Sequence, residues 1–298
     1  MFDSDFFRLI TKRLRMLGFD SSDIPDRYLH SNSFKSTLCS YAIDKSVSTI
    51  SSTHFEVVMS KSDYLNAILT DFYLGNVRVN KQIEHINTQL ASDTQAAWTL
   101  VTTYYACFFI CNDISRISGR FITNLSPDNL RYLSSLDDNG NVGLLKKDKP
   151  AAFTVNVEPG EMENEVKLMF ANVGDKPHKA AWNNISGLLK QLDHLNKNPT
   201  TSFSLFKDIV KSTPDSKWIL PSELRNEWNY TSPMYYDSIG NNNSKQFIYL
   251  MRNKNSYSWS KNNNLIANDE NQVATLAYVF QLLRNTYDRI WKQLIDNN

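Results

Sequence analysis

The chain has few of the features that mark specialised classes of protein. Three cysteines without framework spacing among 298 residues exclude a secreted disulfide scaffold and predict a reducing compartment. The longest apolar stretch, residues 96–111, contains threonines and is shorter than the roughly 20 residues that a membrane span needs. The start of the chain does not resemble a signal peptide. We therefore expect a soluble, cytoplasmic protein.

Charge and metal-ligand pairs are also scarce. A net charge of +1 excludes nucleic-acid binding by bulk positive charge, although a local basic groove would not show in such a sum. The five histidines do not pair at ligand spacing. Cys107 and Cys111 lie four residues apart but among Phe, Ile and Ala, which indicates buried thiols. With no glycine-rich phosphate loop either, the sequence predicts no metal and no cofactor.

Helical periodicity dominates what is present. Apolar residues recur at intervals of three and four in several long segments, and Gly18 and Gly119 are placed to end two of them in the left-handed region. The most apolar segment precedes Gly119 and predicts a central helix that packs on several sides. The predicted helices lie near residues 6–17, 63–74, 79–90, 96–118, 182–195 and 273–294.

Two stretches instead alternate between apolar and polar residues. The first, near 151–172, turns at Pro159-Gly160 and predicts a β-hairpin; the second lies near 245–260. We therefore expect a mainly α fold, a helical bundle with a small β-hairpin insertion. Residues 1–91 are predicted to form an N-terminal helical extension, and residues 92–298 a helical domain that carries both β excursions.

The hexapeptide Arg225-Asn226-Glu227-Trp228-Asn229-Tyr230 is the strongest candidate site. It follows Pro221, which is typical of a helix start, and Ser222 is placed to cap that helix. Leu224 and Trp228, one turn apart, would pack on the core and leave the Arg, Asn and Tyr side chains facing outward. The alternative is an ordinary polar helix end without a function.

Three segments in order resemble HEPN-domain proteins. Trp98 to Phe109 contains a Tyr-Tyr-Ala-x-Phe-like motif, Lys176 to Trp182 is similar to a His-x-x-x-Trp segment, and Arg225-Asn226-x-x-Asn229-Tyr230 resembles the HEPN signature. The resemblance covers roughly residues 92–295 and implies a HEPN-like helical bundle, usually a homodimer with the signature at its interface. Members are metal-independent ribonucleases in toxin–antitoxin and anti-phage systems, or non-catalytic RNA- or nucleotide-binding modules.

The resemblance also implies roles for single residues. Arg225 would contact phosphate, Asn226 would orient it, and Tyr230 would bond to or stack on sugar or base. Tyr230 stands where the nucleases have histidine, and a phenol is a poorer base at neutral pH than an imidazole. His178 is the histidine that would have to fold back towards the site.

These roles predict a protein that binds RNA or nucleotide in a bacterial toxin or anti-phage defence system, and a metal-independent endoribonuclease if it is active. The alternative is a non-catalytic scaffold or regulatory subunit that assembles with a partner protein through its aromatic residues, which are plentiful. A metal-dependent hydrolase is disfavoured, because the ligand pairs are missing.

Overall fold

The fold is described from a computed structural model. The structure describes residues 4–19, 28–92, 95–141, 145, 148–174, 177–211, 213, 215–231, 237–262 and 264–296. Among the helices of these ranges, none is both long enough and apolar enough to cross a membrane.

The described residues form five strands and twelve α-helices. The strands are β1 (Lys45–Ser51), β2 (His54–Ser60), β3 (Arg120–Leu125), β4 (Ala151–Pro159) and β5 (Glu165–Asn172). The helices are α1 (Ser4–Leu17), α2 (Phe34–Leu38), α3 (Lys61–Ala91), α4 (Ala96–Ile117), α5 (Pro127–Ser135), α6 (Pro177–Leu192), α7 (Thr201–Val210), α8 (Pro221–Asn226), α9 (Ser238–Asn243), α10 (Lys245–Asn253), α11 (Ser256–Ser260) and α12 (Asp269–Trp291).

The chain divides into two compact units, each built from separate segments. The first unit comprises Met1–Thr11, Val77–Cys111 and Ala181–Asn297. The second unit comprises Lys12–Asn76 and Asn112–Ala180. The predicted boundary between residues 91 and 92 lies between the end of α3 and the start of α4. Each unit combines residues from both sides of this boundary. All five strands belong to the second unit.

The strands form one antiparallel sheet in the order β1-β2-β5-β4-β3. The predicted hairpin near 151–172 is present as β4 and β5, which pair Pro159 with Val166. The prediction of a mainly α fold with one small hairpin is wrong, however, because β1, β2 and β3 extend that hairpin to five strands. Two of these strands lie within the predicted N-terminal helical extension. The fold is therefore mixed α and β.

Alternation between buried and exposed side chains explains the three additional strands. Phe55, Val57 and Met59 of β2 are buried and alternate with more exposed residues, as the period of two in a strand requires. The ring of Phe55 stacks on that of Phe170 in β5, with 4.3 Å between the ring centres. Such cross-strand aromatic pairs stabilise a sheet by burying apolar area on one of its faces. The core of the second unit lies on this face.

The second predicted β excursion, near 245–260, is also wrong, because these residues form α10 and α11 in the first unit. Phe247, Leu250 and Met251 have helical spacing and are all buried. Gln281 of α12 joins the two short helices: its Nε2 donates to the Leu250 carbonyl at 2.8 Å, and its Oε1 accepts from the Ser256 hydroxyl at 2.6 Å. This tertiary contact satisfies backbone and side-chain groups that a strand would have paired within a sheet.

The long helical segments agree with their predicted positions. Gly18 and Gly119 follow α1 and α4 with φ of 90° and 72°, the left-handed conformation that favours glycine at the end of a helix. The two helices predicted at 63–74 and 79–90 are one continuous helix, α3. The α12 residues predicted to face the core, from Val273 to Ile290, are buried.

Helices α3 and α4 approach each other closely in the second unit at Gly75. A Cβ atom at this position would lie 2.6 Å from Oδ2 and 2.9 Å from Cγ of Asp113, which is buried on α4. Contacts this short do not occur for real Cβ atoms, so any larger residue must displace the carboxylate or separate the helices. Glycine at position 75 thus permits this packing.

Gly75→Ala is expected to lower the free energy of unfolding by about 1–2 kcal/mol, because the cost of overpacking the contact with Asp113 exceeds the gain of about 1 kcal/mol that alanine gives over glycine inside a helix. Urea denaturation measures the change. Gly174→Ala is the matched control, since nothing lies within 4 Å of a Cβ atom there. Equal stability of the two variants would contradict the proposed close packing.

Tyr64 of α3 is fully buried, and its hydroxyl group has no hydrogen-bond partner among the described residues. Burial raises the pKa of Tyr64 well above its ordinary value, against the opposing charges of Arg13 and Arg116. The unfolded chain therefore releases this proton from about pH 10 upward while the folded chain retains it. The free energy of unfolding therefore falls as the pH rises above 10, by up to about 1.4 kcal/mol per pH unit.

Tyr64→Phe is accordingly expected to change stability little at pH 7 and to make the decline above pH 10 shallower, as measured by urea denaturation across pH. Tyr249→Phe, at an exposed position, serves as the control for the loss of a surface hydroxyl group. An unchanged alkaline decline in Tyr64→Phe would show that this phenol ionises normally in the folded protein.

Candidate functional site

The predicted hexapeptide lies in the first unit, at the end of a short helix whose geometry changes within it. Helix α8 begins at Pro221 and is followed by a π-helical segment, Glu227–Thr231. Leu220 occupies the N-cap position, so the predicted cap by Ser222, which lies within α8, is wrong. A π-helical turn contains more residues than an α-helical turn, and it changes the direction of the side chains that follow it.

Arg225 lies at the centre of a group of tyrosine rings. Its guanidinium carbon is 5.3 Å from the ring centre of Tyr104, 5.4 Å from that of Tyr105 and 5.5 Å from that of Tyr230. Its Nη1 donates to Oδ1 of Asn226 at 2.9 Å. These distances are within the range of cation–π attraction. The structure therefore places both Asn226 and Tyr230 in contact with Arg225.

The exposure of these side chains differs from the prediction in one respect. Leu224 and Trp228 are buried as predicted, and Asn226 and Tyr230 are exposed, Tyr230 by 72%. Arg225, however, is only 5% exposed, so the prediction that it faces outward is wrong. It follows Leu224 and precedes Trp228 by three residues, which puts it beside the buried face of the helix, where its planar guanidinium packs against the rings of α4.

The phenol beneath Arg225 is neutral at physiological pH. Burial raises the pKa of Tyr104 well above its ordinary value, and the charge of Arg225 only partly opposes this effect. Tyr104 therefore does not supply a negative charge to Arg225. The contacts to Arg225 described above are uncharged, namely ring faces and the Asn226 amide oxygen.

Helix α4 presents aromatic residues beside this cluster. Trp98, Thr102, Tyr105 and Phe109 have the spacing of one helix face and are exposed or half-buried, Trp98 by 50%. The guanidinium of Arg78 lies 4.2 Å from the ring centre of Phe109. We call Trp98, Tyr105 and Phe109, the aromatic residues of this face, the aromatic stripe. All four residues of the face lie within the segment Trp98 to Phe109 that resembles a family motif, but their shared face was not predicted, although the spacing of four, three and four is visible in the sequence.

The fourth predicted site residue, His178, lies in the second unit, in the first turn of α6, and is half-buried. Within the described part of the chain, no group of three or more His, Cys, Asp or Glu residues could hold a metal ion. Cys107 and Cys111 are buried in α4, and burial raises the pKa of both thiols well above the ordinary value, so both are protonated at neutral pH.

Comparison with protein-family models, with curated proteins and with solved structures finds no match for the chain. The chemistry of the site therefore has to be inferred from its own geometry. This geometry is a buried cation among three tyrosine rings, of which only that of Tyr230 is exposed, with the exposed amide of Asn226 beside it.

Arg225→Ala is expected to lower the free energy of unfolding by about 2–3 kcal/mol, because it removes a buried side chain and leaves a cavity between the tyrosine rings. Denaturant unfolding measures the loss. The exposed Arg131→Ala is the control and should change stability by no more than about 0.5 kcal/mol. A loss in Arg225→Ala no larger than in the control would mean that the ring contacts do not stabilise the fold.

Proposed function

We propose that the first unit binds single-stranded RNA or a nucleotide through Tyr230, Asn226 and the aromatic stripe of α4. The proposal is supported by the exposed ring of Tyr230 beside Arg225 and by the half-buried ring of Phe109 beside Arg78. Unpaired bases stack on such rings, and nearby cations attract the phosphate backbone. The resemblance to HEPN-domain proteins is consistent with this ligand and with a role in toxin or anti-phage defence.

The observation that carries the proposal is the geometry of Arg225 and Tyr230. The cation lies 5.5 Å from the ring centre of Tyr230, whose other surfaces are largely exposed. In this arrangement Arg225 positions the ring and supplies positive potential beneath the surface, while Tyr230 stacks on a base and Asn226 bonds to its edge. The proposed role of Arg225 thus changes from direct phosphate contact to positioning.

Binding without cleavage accords best with this geometry. Metal-independent RNA cleavage needs a group that accepts the 2′-hydroxyl proton and a cation that reaches the scissile phosphate. Tyr104 stays protonated, and the buried guanidinium of Arg225 would have to leave its ring contacts to reach a phosphate. A surface on which bases only stack needs no proton acceptor and no movement of Arg225.

A second candidate is a scaffold or regulatory subunit. The exposure of Trp98 and Tyr230 favours it, since large aromatic residues are the usual anchors of protein interfaces. In that case the same surface would bind a second copy of the chain or a partner protein. Removing a single ring would lower RNA affinity if the surface binds RNA. It would change the mass of the assembly if the surface binds a protein.

Tyr230→Ala is expected to weaken binding of a fluorescein-labelled single-stranded RNA oligonucleotide by about 5- to 150-fold, because stacking on one aromatic ring contributes about 1–3 kcal/mol per base. Fluorescence anisotropy at fixed salt measures the affinity. Tyr41→Ala is the matched control, an exposed tyrosine of the second unit.

Equal RNA affinity in Tyr230→Ala, Tyr41→Ala and the parent chain would refute RNA binding at this surface. A parent dimer that Trp98→Ala converts to monomer, measured by light scattering, would then support the scaffold function. Cleavage of total RNA by the parent chain in EDTA, lost in Asn226→Ala, would show instead that the site is a nuclease.

A further inference from the structure

A polar groove in the first unit shares no lining residue with the proposed binding surface, although Thr99 of the groove is the chain neighbour of Trp98. It is formed between the end of α3, the start of α4 and helices α9 and α10, and its volume is about 560 Å³. This volume is within the range of pockets that bind small molecules. None of the described residues that line the groove is acidic. The groove therefore suits an anionic ligand.

Helix α10 supplies two cations and a ring to this groove. Lys245, Tyr249 and Arg252 follow one another at spacings of four and three, so they share one face of the helix. The two cations are about 10 Å apart along the helix axis, with the ring between them. Tyr249 is 52% exposed. Both cations have long, flexible side chains, so they can reach one phosphate group beside a base that stacks on the ring.

Arg252 is already oriented. Its Nε donates to the Leu90 carbonyl at the end of α3, at 3.2 Å, which limits rotation of the guanidinium plane. Within the described ranges, neither Arg252 nor Lys245 forms a salt bridge. Both charges thus face the groove without an acidic partner, and a guanidinium held through Nε keeps its terminal N–H groups for a phosphate.

The opposite wall contains polar atoms that lack partners. Thr99 of α4 is 1% exposed and lines the groove, and its Oγ1 makes no hydrogen bond to any described residue. Gln89 Oε1 at the end of α3 is also buried without a hydrogen bond among these residues. Buried polar groups without partners cost free energy, and a ligand that carries hydroxyl groups would satisfy them.

We infer that this groove binds a nucleoside phosphate, either as a free nucleotide or as one nucleotide of an RNA strand. Lys245 and Arg252 bind the phosphate, Tyr249 stacks on the base, and Gln89 and Thr99 bond to the ribose hydroxyls. The inference does not depend on the RNA-binding surface at Tyr230, because the two sites share no residue.

The test is isothermal titration of the full chain with AMP, with adenosine and with inorganic phosphate. AMP is expected to bind more tightly than either of its two parts. Lys245→Ala and Arg252→Gln should each raise the Kd for AMP about tenfold, as expected for loss of one charge-assisted hydrogen bond. Tyr249→Ala should raise it about fivefold or more. Lys190→Ala, at an exposed position on α6, is the charge control and should leave the Kd unchanged.

A labelled single-stranded RNA oligonucleotide distinguishes the two sources of the ligand. If Lys245→Ala lowers the affinity for RNA, the groove binds a nucleotide of an RNA strand, whether or not AMP also binds. If AMP binds and Lys245→Ala leaves the affinity for RNA unchanged, the groove binds a free nucleotide. The inference is wrong if neither probe binds, or if Lys245→Ala and Lys190→Ala bind both probes equally. AMP binding that Tyr230→Ala does not change would support the groove even if the surface at Tyr230 fails its own test.

Discussion

The first unit depends on the burial of one positive charge. Taking a guanidinium out of water costs free energy, and this cost has to be offset by groups that contact it. Around Arg225 these groups include the faces of Tyr104, Tyr105 and Tyr230 and the amide oxygen of Asn226. Because the rings of α4 and the end of α8 both contact this cation, it sets where α8 lies on α4. The exposed position of Tyr230 and Asn226 follows from that placement.

This constraint also shapes the proposed chemistry. A cation that is held beneath rings attracts anions towards them without touching them, whereas Arg252 and Lys245 are open to direct contact. We propose in this way that the first unit combines a surface on which bases stack with a separate groove that binds phosphate. The net charge of +1 is no obstacle, because both features concentrate positive potential locally on a chain that is nearly neutral as a whole.

The helices and the central hairpin were predictable from sequence because their signals are local. Gly18 and Gly119 end α1 and α4 by their own backbone conformation, and Pro159-Gly160 closes the turn between β4 and β5. Strand β1 alternates less clearly, since its Ile50 is exposed, and only pairing in the sheet distinguishes β1, β2 and β3 from loops. Residues 245–260 were predicted as strands but form helices. Their buried apolar residues also have helical spacing, and Gln281 of α12 bonds to the end of α10.

The sequence by itself determined the long helices and their ends, and it brought Arg225, Asn226 and Tyr230 into one short segment, because spacing along a helix depends only on neighbouring residues. Tertiary structure alone decided that Arg225 is buried and Tyr230 exposed, since this depends on the rings of α4, more than a hundred residues earlier in the chain. It likewise assembled five strands into one sheet and brought Arg252 to the end of α3. Contacts between distant segments, unlike periodicity, leave no local pattern in a single sequence.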